Sequence, residues 1–399
     1  MPWKETCRMD EREQFVKLAL SRDANIAALS RSFGISRKTA YKWLARFREG
    51  GRAALLDRDP VPGPHPHSLP ISVVAQVLAV RRRYPYWGPR KIQAWMTEHV
   101  VRIDPPAAST IGRILEKHGL IRARRRRRRV DASNQPFAQC DSPHAVWCTD
   151  FKGHFRLGSG ERCHPLTLTD AHSRFLLRCE ALEAENTALV QPVYDAAFVE
   201  YGLPLAIRSD NGSPFATLGA GGLSRLAVWW VKLGIRPERI EPGKPQQNGR
   251  HERMHRTLKQ QTARPPQPTM FEQQVAFDRF RREFNEERPH EALDQRPPAS
   301  VYSSSPRSYP CPLRSPEYPG EWERRLVANN GSIKWRGERF FVSECLAGEW
   351  IGLNETDDGI WRAMFGPVHL GTVNDRAKEP TFVRPSWPRK CHPGSRSEV

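Results

Sequence analysis

The order of apolar and polar positions divides the chain into stretches of different texture. Residues 10–49 carry apolar residues at helical spacing in three runs: about Asp10–Ser21, about Asn25–Phe33 and, after the turn Gly34-Ile35, a helix that Ser36 caps and Gly50-Gly51 ends. The segment FGISRKTAYKWL puts Arg37, Lys38, Tyr41 and Lys42 near the start of the third run. A turn followed by such a helix is the pattern of a helix-turn-helix, whose second helix enters the major groove of DNA. Residues 71–120 repeat the theme, with an apolar-periodic run Ile71–Tyr84, a helix opening at Pro89 and a further helix that Ser109 is expected to cap. This predicts a second helix-turn-helix, with Arg90, Lys91, Ser109 and Thr110 as contacts to a DNA backbone.

From Ser142 the runs shorten. AVWCTDF, HPLTLTDAHS and RFLLRCEAL predict three strands of an antiparallel meander. A helix over 186–202 follows, with Pro192 inside it, then the short buried strand LAIRSD, a helix around Trp229 and Trp230, and a fifth strand, RPERIE. The segment GKPQQNGRHERMHRTLK, residues 243–259, runs from a Gly-Pro loop into a helix, and a long helix over about 271–287 closes the unit. The order β-β-β-α-β-α-β-α-α predicts an α/β core with a mixed five-stranded sheet. Residues 288–320 are Pro-rich and read as a linker or wrapping arm, and 322–372 alternate apolar and polar residues, which predicts a small all-β barrel. The domains expected are therefore 1–56 and 71–121 (all-α helix-turn-helix units), 142–302 (the α/β core) and 322–399 (the β-barrel with a disordered tail). Between them lie a Pro-rich linker at 57–70, an Arg-rich linker at 122–141 and a second Pro-rich linker at 303–321.

Charge sharpens this picture. The chain carries a formal +19, and residues 1–130 hold 28 Lys and Arg against 11 Asp and Glu, while the other 269 hold 35 against 33. A basic front on a nearly neutral back points to a polyanion partner, most simply double-stranded DNA. Six consecutive Arg at 124–129 cannot pack against one another; Arg124, Arg125 and Arg126 are candidates for phosphate contacts, and a solvated basic linker is the competing reading. The eight Cys form no Cys-x-x-Cys pair, which argues against zinc-ribbon spacing and for a reducing compartment. No apolar run has the length of a membrane span, so a soluble, cytoplasmic, nucleoid-associated protein with no membrane partner is expected.

The candidate chemistry lies in carboxylates. Glu252, His255 and Lys259 stand at i, i+3 and i+7 and are expected to share one polar helix face. Asp150 lies inside the strand AVWCTDF, and Asp210 ends the strand LAIRSD ahead of Asn211-Gly212. Two aspartates on neighbouring strands and a glutamate on a crossing helix make a hard-oxygen site suited to two Mg²⁺ ions, or Mn²⁺, rather than zinc. Asp170 is a rival carboxylate and reads as a hairpin-turn residue.

The segments WCTD at 147–150, SDNGSPF at 209–215, GKPQQNGRHERMHRTLK at 243–259 and FNEERPHEALDQRPPASVY at 284–302 together resemble the catalytic core of the DDE transposases in the retroviral-integrase superfamily. With tandem amino-terminal helix-turn-helix units in the same chain, the sequence is most similar to the insertion-sequence four-eighty-one group. The resemblance covers about residues 10–302. It implies a ribonuclease H-like core, with Asp150, Asp210 and Glu252 as catalytic metal ligands, Lys259 contacting the DNA end, and Asn211, Gln246 and Asn248 shaping the site. It also implies binding to terminal inverted repeats, metal-dependent cleavage, joining of 3′-OH ends to target DNA, and a homodimer or higher assembly. The alternative is a DNA-binding regulator derived from a transposase, with an inactive core. One departure stands out: Asp210 and Glu252 are 42 positions apart, longer than is usual in the superfamily, with the excess assigned to the Gly-rich segment LGAGGLS at 218–224.

Overall fold

The computed structural model describes residues 7–57, 69–101, 103–121, 140–217, 219–240, 249–310, 312–377 and 381–385. Arg124, Arg125, Arg126, Gln246 and Asn248 lie outside them. The chain forms two units, Met1–Pro70 and Ile71–Val399.

In the first unit, helices α1 (Arg8–Ala19), α2 (Ile26–Ser32) and α3 (Arg37–Gly50) surround a small core of Phe15, Val16, Ala40, Trp43, Leu44 and Leu55. Ser36 caps α3 as expected, and Asn25 caps α2 as well. Asn25 Oδ1 accepts from Ala27 and Ala28 N–H, and Ser36 Oγ accepts from Thr39 N–H at 3.1 Å, which satisfies amide donors that a helix start leaves open. Gly51 ends α3 at φ +63°, a conformation that suits glycine. Burying Ala40, Trp43 and Leu44 against α1 leaves Arg37, Lys38, Tyr41 and Lys42 exposed on the opposite side of α3.

The second unit opens with α4 (Ile71–Arg83), α5 (Pro89–His99) and α6 (Ala108–Lys117), packed around Val77, Trp87, Ile92, Met96 and Ile111. Pro89 occupies the first turn of α5, where its missing N–H costs nothing. Ser109 does not cap α6: the helix starts two residues earlier than expected, with Ala107 at its N-cap, so Ser109 falls within the first turn.

The α/β core follows. Strands β1 (Val146–Phe151), β2 (Phe155–Arg156), β3 (Arg162–Asp170) and β4 (Leu176–Leu182) are joined by antiparallel pairing, as the alternation predicts. After α7 (Thr187–Tyr201), β5 (Ala206–Ser209) runs parallel to β1; after α8 (Arg225–Lys232), β6 (Arg236–Arg239) runs parallel to β5. The long strands thus order β4-β3-β1-β5-β6, the expected mixed sheet, with the two-residue β2 added on β3. Helices α7 and α8 cover one face over Trp147, Leu166, Leu168, Tyr194, Phe198 and Trp230. Helices α9 (Gly249–Thr262) and α10 (Met270–Arg282) cover the other over Leu176, Cys179, Met254, Leu258 and Phe277. Burying each such large side chain contributes about 1.5–3 kcal/mol, so the sheet is clamped from both sides. A π turn, Glu283–Glu287, ends α10. It presents Asn285 to β4, where the amide bonds both the N–H and the C=O of Leu176, at 2.8 and 3.0 Å.

The Pro-rich stretch packs as an arm. Ser305 N–H donates to Tyr201 C=O at 3.0 Å, Arg307 C=O accepts from Leu203 N–H at 2.8 Å, and the Arg307 guanidinium donates to the C=O groups of Leu233 and Gly234. Beyond it, β7 (Glu323–Leu326), β8 (Ser332–Trp335), β9 (Glu338–Phe341), β10 (Trp350–Asp357), β11 (Ile360–Phe365), β12 (Val368–Asn374) and β13 (Phe382–Val383) form the last part. Instead of a closed barrel, the described residues make an antiparallel sheet ordered β13-β12-β11-β10-β7 and a separate β8-β9 hairpin. Closure is not needed to bury this sheet, because Trp335, Ile351, Leu353 and Phe365 join the same apolar cluster as Trp230 and Val231 of the core. The Gly-rich segment makes a turn, Ala220–Gly222, against β12, and leaves the β1-β5-β6 pairing continuous. Among the described residues no helix is long and apolar enough to cross a membrane.

Candidate active site

Asp150 is the fifth residue of β1 and is paired with Thr167 of β3. Its carboxylate is partly exposed, 18% by side-chain area. On its other side β1 runs parallel to β5, with Cys148 opposite Arg208. Carried two residues further, that register sets Asp210 alongside Asp150. Both aspartates therefore leave the carboxyl ends of adjacent parallel strands, the edge where open α/β sheets bind ligands. Asp210 is also partly exposed, and its Oδ1 accepts from Gly212 N–H at 3.1 Å, which turns the chain sharply after the strand. Asn211 braces the same turn by donating Nδ2–H to Ile240 C=O at 2.9 Å.

Glu252 lies in the first turn of α9 and is exposed. The buried stripe of that helix is His251, Met254, His255, Leu258 and Thr262, at helical spacing. The expectation that Glu252, His255 and Lys259 share a polar face is therefore corrected. Glu252 and Lys259 point outward, while His255 is 3% exposed and faces the sheet. Lys259 and Lys152, two residues past Asp150, line one small cleft with His154 and Thr262.

The inner face of α9 meets β3 through polar atoms. Thr167 Oγ1 lies 2.6 Å from His251 Nε2 and 2.7 Å from His255 Nε2, and Thr169 Oγ1 lies 3.2 Å from His251 Nδ1. His255 Nδ1 faces Asp150 Oδ2 at 3.8 Å. Burial pushes the His251 imidazole down to about 3. Burial likewise holds His255 well below the usual histidine range, helped by His251 and Lys152. Both rings are thus neutral near pH 7. The Asp150 carboxylate and the two imidazoles have ligand atoms within 4.8 Å of one another. Sequence reasoning missed this pair, although His251 and His255 stand four residues apart and so share one face.

Asp170 is no rival as a ligand. It is fully buried, and its two oxygens accept from His144 N–H at 2.9 Å, Ser173 N–H at 2.7 Å and the Ser173 hydroxyl at 2.5 Å. It holds the β3–β4 turn, as expected of it.

The basic residues separate into two groups. Arg37, Lys38, Tyr41 and Lys42 are exposed on α3. Arg90 pairs with Glu291 at 2.8 Å, and Lys91 donates to the Pro289 carbonyl. Burial, with Arg288 nearby, pushes the Lys91 ammonium down to about 7. Arg83 and Tyr84 bond Glu287 in the same contact. This face of α4 and α5 is engaged by the segment after α10, which carries the acidic residues and open carbonyls that these donors require.

Residues 141–245 and 233–298 match the integrase core domain family, residues 11–65 a helix-turn-helix domain and 39–115 a homeodomain-like domain. The insertion element IS476 protein of Xanthomonas euvesicatoria is 28% identical over 63% of this chain and 71% of its own length. The insertion element IS407 protein of Burkholderia multivorans is 24% identical over 59% of this chain and 81% of its own. Among solved structures, the HTLV-2 integrase catalytic core domain in complex with magnesium gives a TM-score of 0.32 at 14% identity, over 41% of this chain and 99% of that one. Two integrase-core matches lie on the strands and helices that carry Asp150, Asp210 and Glu252, and helix-turn-helix matches lie in front of them, so these likenesses support an insertion-sequence transposase of the retroviral-integrase superfamily.

Proposed function

We propose that the chain is a DDE-type transposase that binds the terminal inverted repeats of its element, cleaves a phosphodiester and joins the freed 3′-OH to target DNA. The observation that carries this reading is the parallel β1–β5 register, which brings Asp150 and Asp210 to one sheet edge, with the Glu252-bearing helix packed across the same sheet. Asp150, Asp210 and Glu252, all exposed or partly exposed, would supply an all-oxygen donor set of the kind magnesium prefers. Asp150, Asp210 and Glu252 would hold two Mg²⁺ ions. When bound, the ions would raise the nucleophilicity of an attacking oxygen and stabilise the departing 3′ oxygen.

The chain's own residues do the rest. Exposed Arg37, Lys38, Tyr41 and Lys42 on α3 would read or grip the repeat. Lys259 and Lys152 would hold the phosphates of the end near the carboxylates. Water attacks first: its oxygen forms a bond to phosphorus, the P–O3′ bond breaks, and the 3′ oxygen leaves as a hydroxyl. That hydroxyl then attacks a target phosphodiester in the same sense, so no covalent protein intermediate is needed.

The test is cleavage and joining of labelled DNA bearing the element's end, with Mg²⁺, comparing wild type with Glu252→Gln. Loss of both steps in the variant with DNA binding kept supports the transposase. Specific end binding by a wild type that never cleaves would leave the regulator reading instead.

A further inference from the structure

Two buried imidazoles lie under α9 with no part in the reading so far. With Glu252 they spell His-Glu-x-x-His, the spacing of a zinc-binding helix. Zinc would need ring nitrogens aimed at one ion about 2.0–2.1 Å away. Here both Nε2 atoms are aimed at the hydroxyl of Thr167, at 2.6 and 2.7 Å. The pair grips a strand hydroxyl instead of enclosing an ion.

That hydroxyl has one proton, so the two Nε2 atoms cannot both be lone pairs. One assignment gives every ring nitrogen a partner of the right kind. The Thr169 hydroxyl donates to His251 Nδ1, and His251 Nε2–H donates to Thr167 Oγ1. The Thr167 hydroxyl donates to His255 Nε2, and His255 Nδ1–H faces Asp150 Oδ2. In the rival assignment Thr167 donates to the Asp150 backbone C=O, 3.1 Å away. Both Nε2 atoms must then carry hydrogens, and His255 sets a bare Nδ1 lone pair against a carboxylate, which is repulsive. The first assignment is a directed chain from Thr169 to Asp150.

We propose that His255 is a positioning residue: held by Thr167 and His251, it offers Nδ1–H to one oxygen of Asp150 and so aims the other at the metal site. The inference rests on the reading of Asp150 as a metal ligand. At 3.8 Å the last link is longer than a hydrogen bond. Such links tighten when an active site is loaded. Partners behind a metal ligand typically account for about 10–100-fold in metal affinity or activity.

Two substitutions separate this role from packing. Asn at 255 keeps a donor near the Nδ1 position and loses the atom facing Thr167. Gln does the reverse, keeping a polar atom near the Nε2 position. Mn²⁺ binding to the full chain is measured by titration calorimetry and by the loss of free-Mn²⁺ electron paramagnetic resonance signal. His255→Gln is expected to bind Mn²⁺ about 10–100-fold more weakly, and His255→Asn to stay within a few-fold of wild type. Equal binding by wild type and His255→Gln, or equal loss in both variants, overturns the proposal. Asp150→Asn serves as the separate control: if it binds Mn²⁺ like wild type, the metal-site reading falls and this inference with it. A measurement on the wild type avoids any folding defect of the variants. Ring-nitrogen resonances of labelled histidine should show His255 protonated on Nδ1, and protonation on Nε2 overturns the proposal.

Discussion

The Arg239 guanidinium donates to the Gly221 carbonyl at 2.5 Å, and it lies against the neighbouring Gly222 so closely that an added Cβ would fall 1.8 Å from Nη1. The Gly-rich segment folds into a turn at φ +60° and +64°, Gly221 meets Val368 and His369 of β12, and β5 keeps its pairing with β1 and β6. Gly222→Ala forces a side chain into the left-handed region and into Arg239, at a cost of about 1–3 kcal/mol. Thermal unfolding should show the loss, and Arg239→Ala in the same chain should relieve part of it. An unchanged midpoint in the single variant would refute the account.

Asp170 is predicted to matter for stability and not for metal. Its removal strands three donors, His144 N–H, Ser173 N–H and the Ser173 hydroxyl, in a buried turn. Each buried group left unpaired costs about 1–3 kcal/mol, and partial rearrangement keeps the sum near the lower end. Asp170→Ala should therefore lower stability by about 3 kcal/mol in denaturant unfolding. Mn²⁺ affinity of the folded fraction should stay at the wild-type value; a parallel loss of affinity would make Asp170 a ligand after all.

These residues also mark how far the sequence reading reached. Ser36, Gly51 and the apolar spacing of α3 are local signals, and they sufficed to identify the helix and its exposed cations. The order of the core strands followed from alternation and from turn residues such as Asp170. The barrel expectation went too far, because alternation marks a sheet with one face buried but not whether that sheet closes. The inner face of α9 is marked in the sequence only by Met254 and Leu258, four residues apart, a thin apolar stripe in a run as polar as GRHERMHRTLK, and nothing local adds His251 and His255 to it. What buries His251 and His255 is Thr167, 84 and 88 residues away in sequence. Lys91 was assigned to DNA for the same reason: its partner Pro289 is 198 residues distant.

On α3, the exposed Arg37, Lys38 and Lys42 carry the electrostatic part of DNA binding in the proposed reading. Each phosphate contact releases about 0.9 counterion from duplex DNA. Replacing one of the three by Ala should make the slope of log K against log salt shallower by about that amount. Titrations of an inverted-repeat duplex between about 50 and 200 mM salt resolve such a change. A residue that touches a base edge should behave differently, relaxing sequence preference at one position by about 1–3 kcal/mol. Unchanged slopes in all three variants would remove α3 from the interface.

Lys91 supplies a prediction in pH. Its ordinary value near 10.5 falls to about 7 in the folded chain, chiefly through burial. Between those two values the unfolded chain holds a proton that the folded chain has released, so stability must rise with pH across the interval. Below about 7 the ammonium is charged in both states, and the full penalty of burying it applies. Lys91→Met keeps the length of the side chain and removes the titration. The variant should lose most of the rise in unfolding free energy between pH 7 and 10 and should gain most, relative to wild type, at the acid end. Arg90 keeps its pairing with Glu291 in that variant, so the docking of α5 beside Pro289 is retained. Denaturant midpoints across that pH range decide the matter. Parallel curves for the two proteins would show that the Lys91 ammonium is solvated, and would return it to the residues free to meet a DNA phosphate.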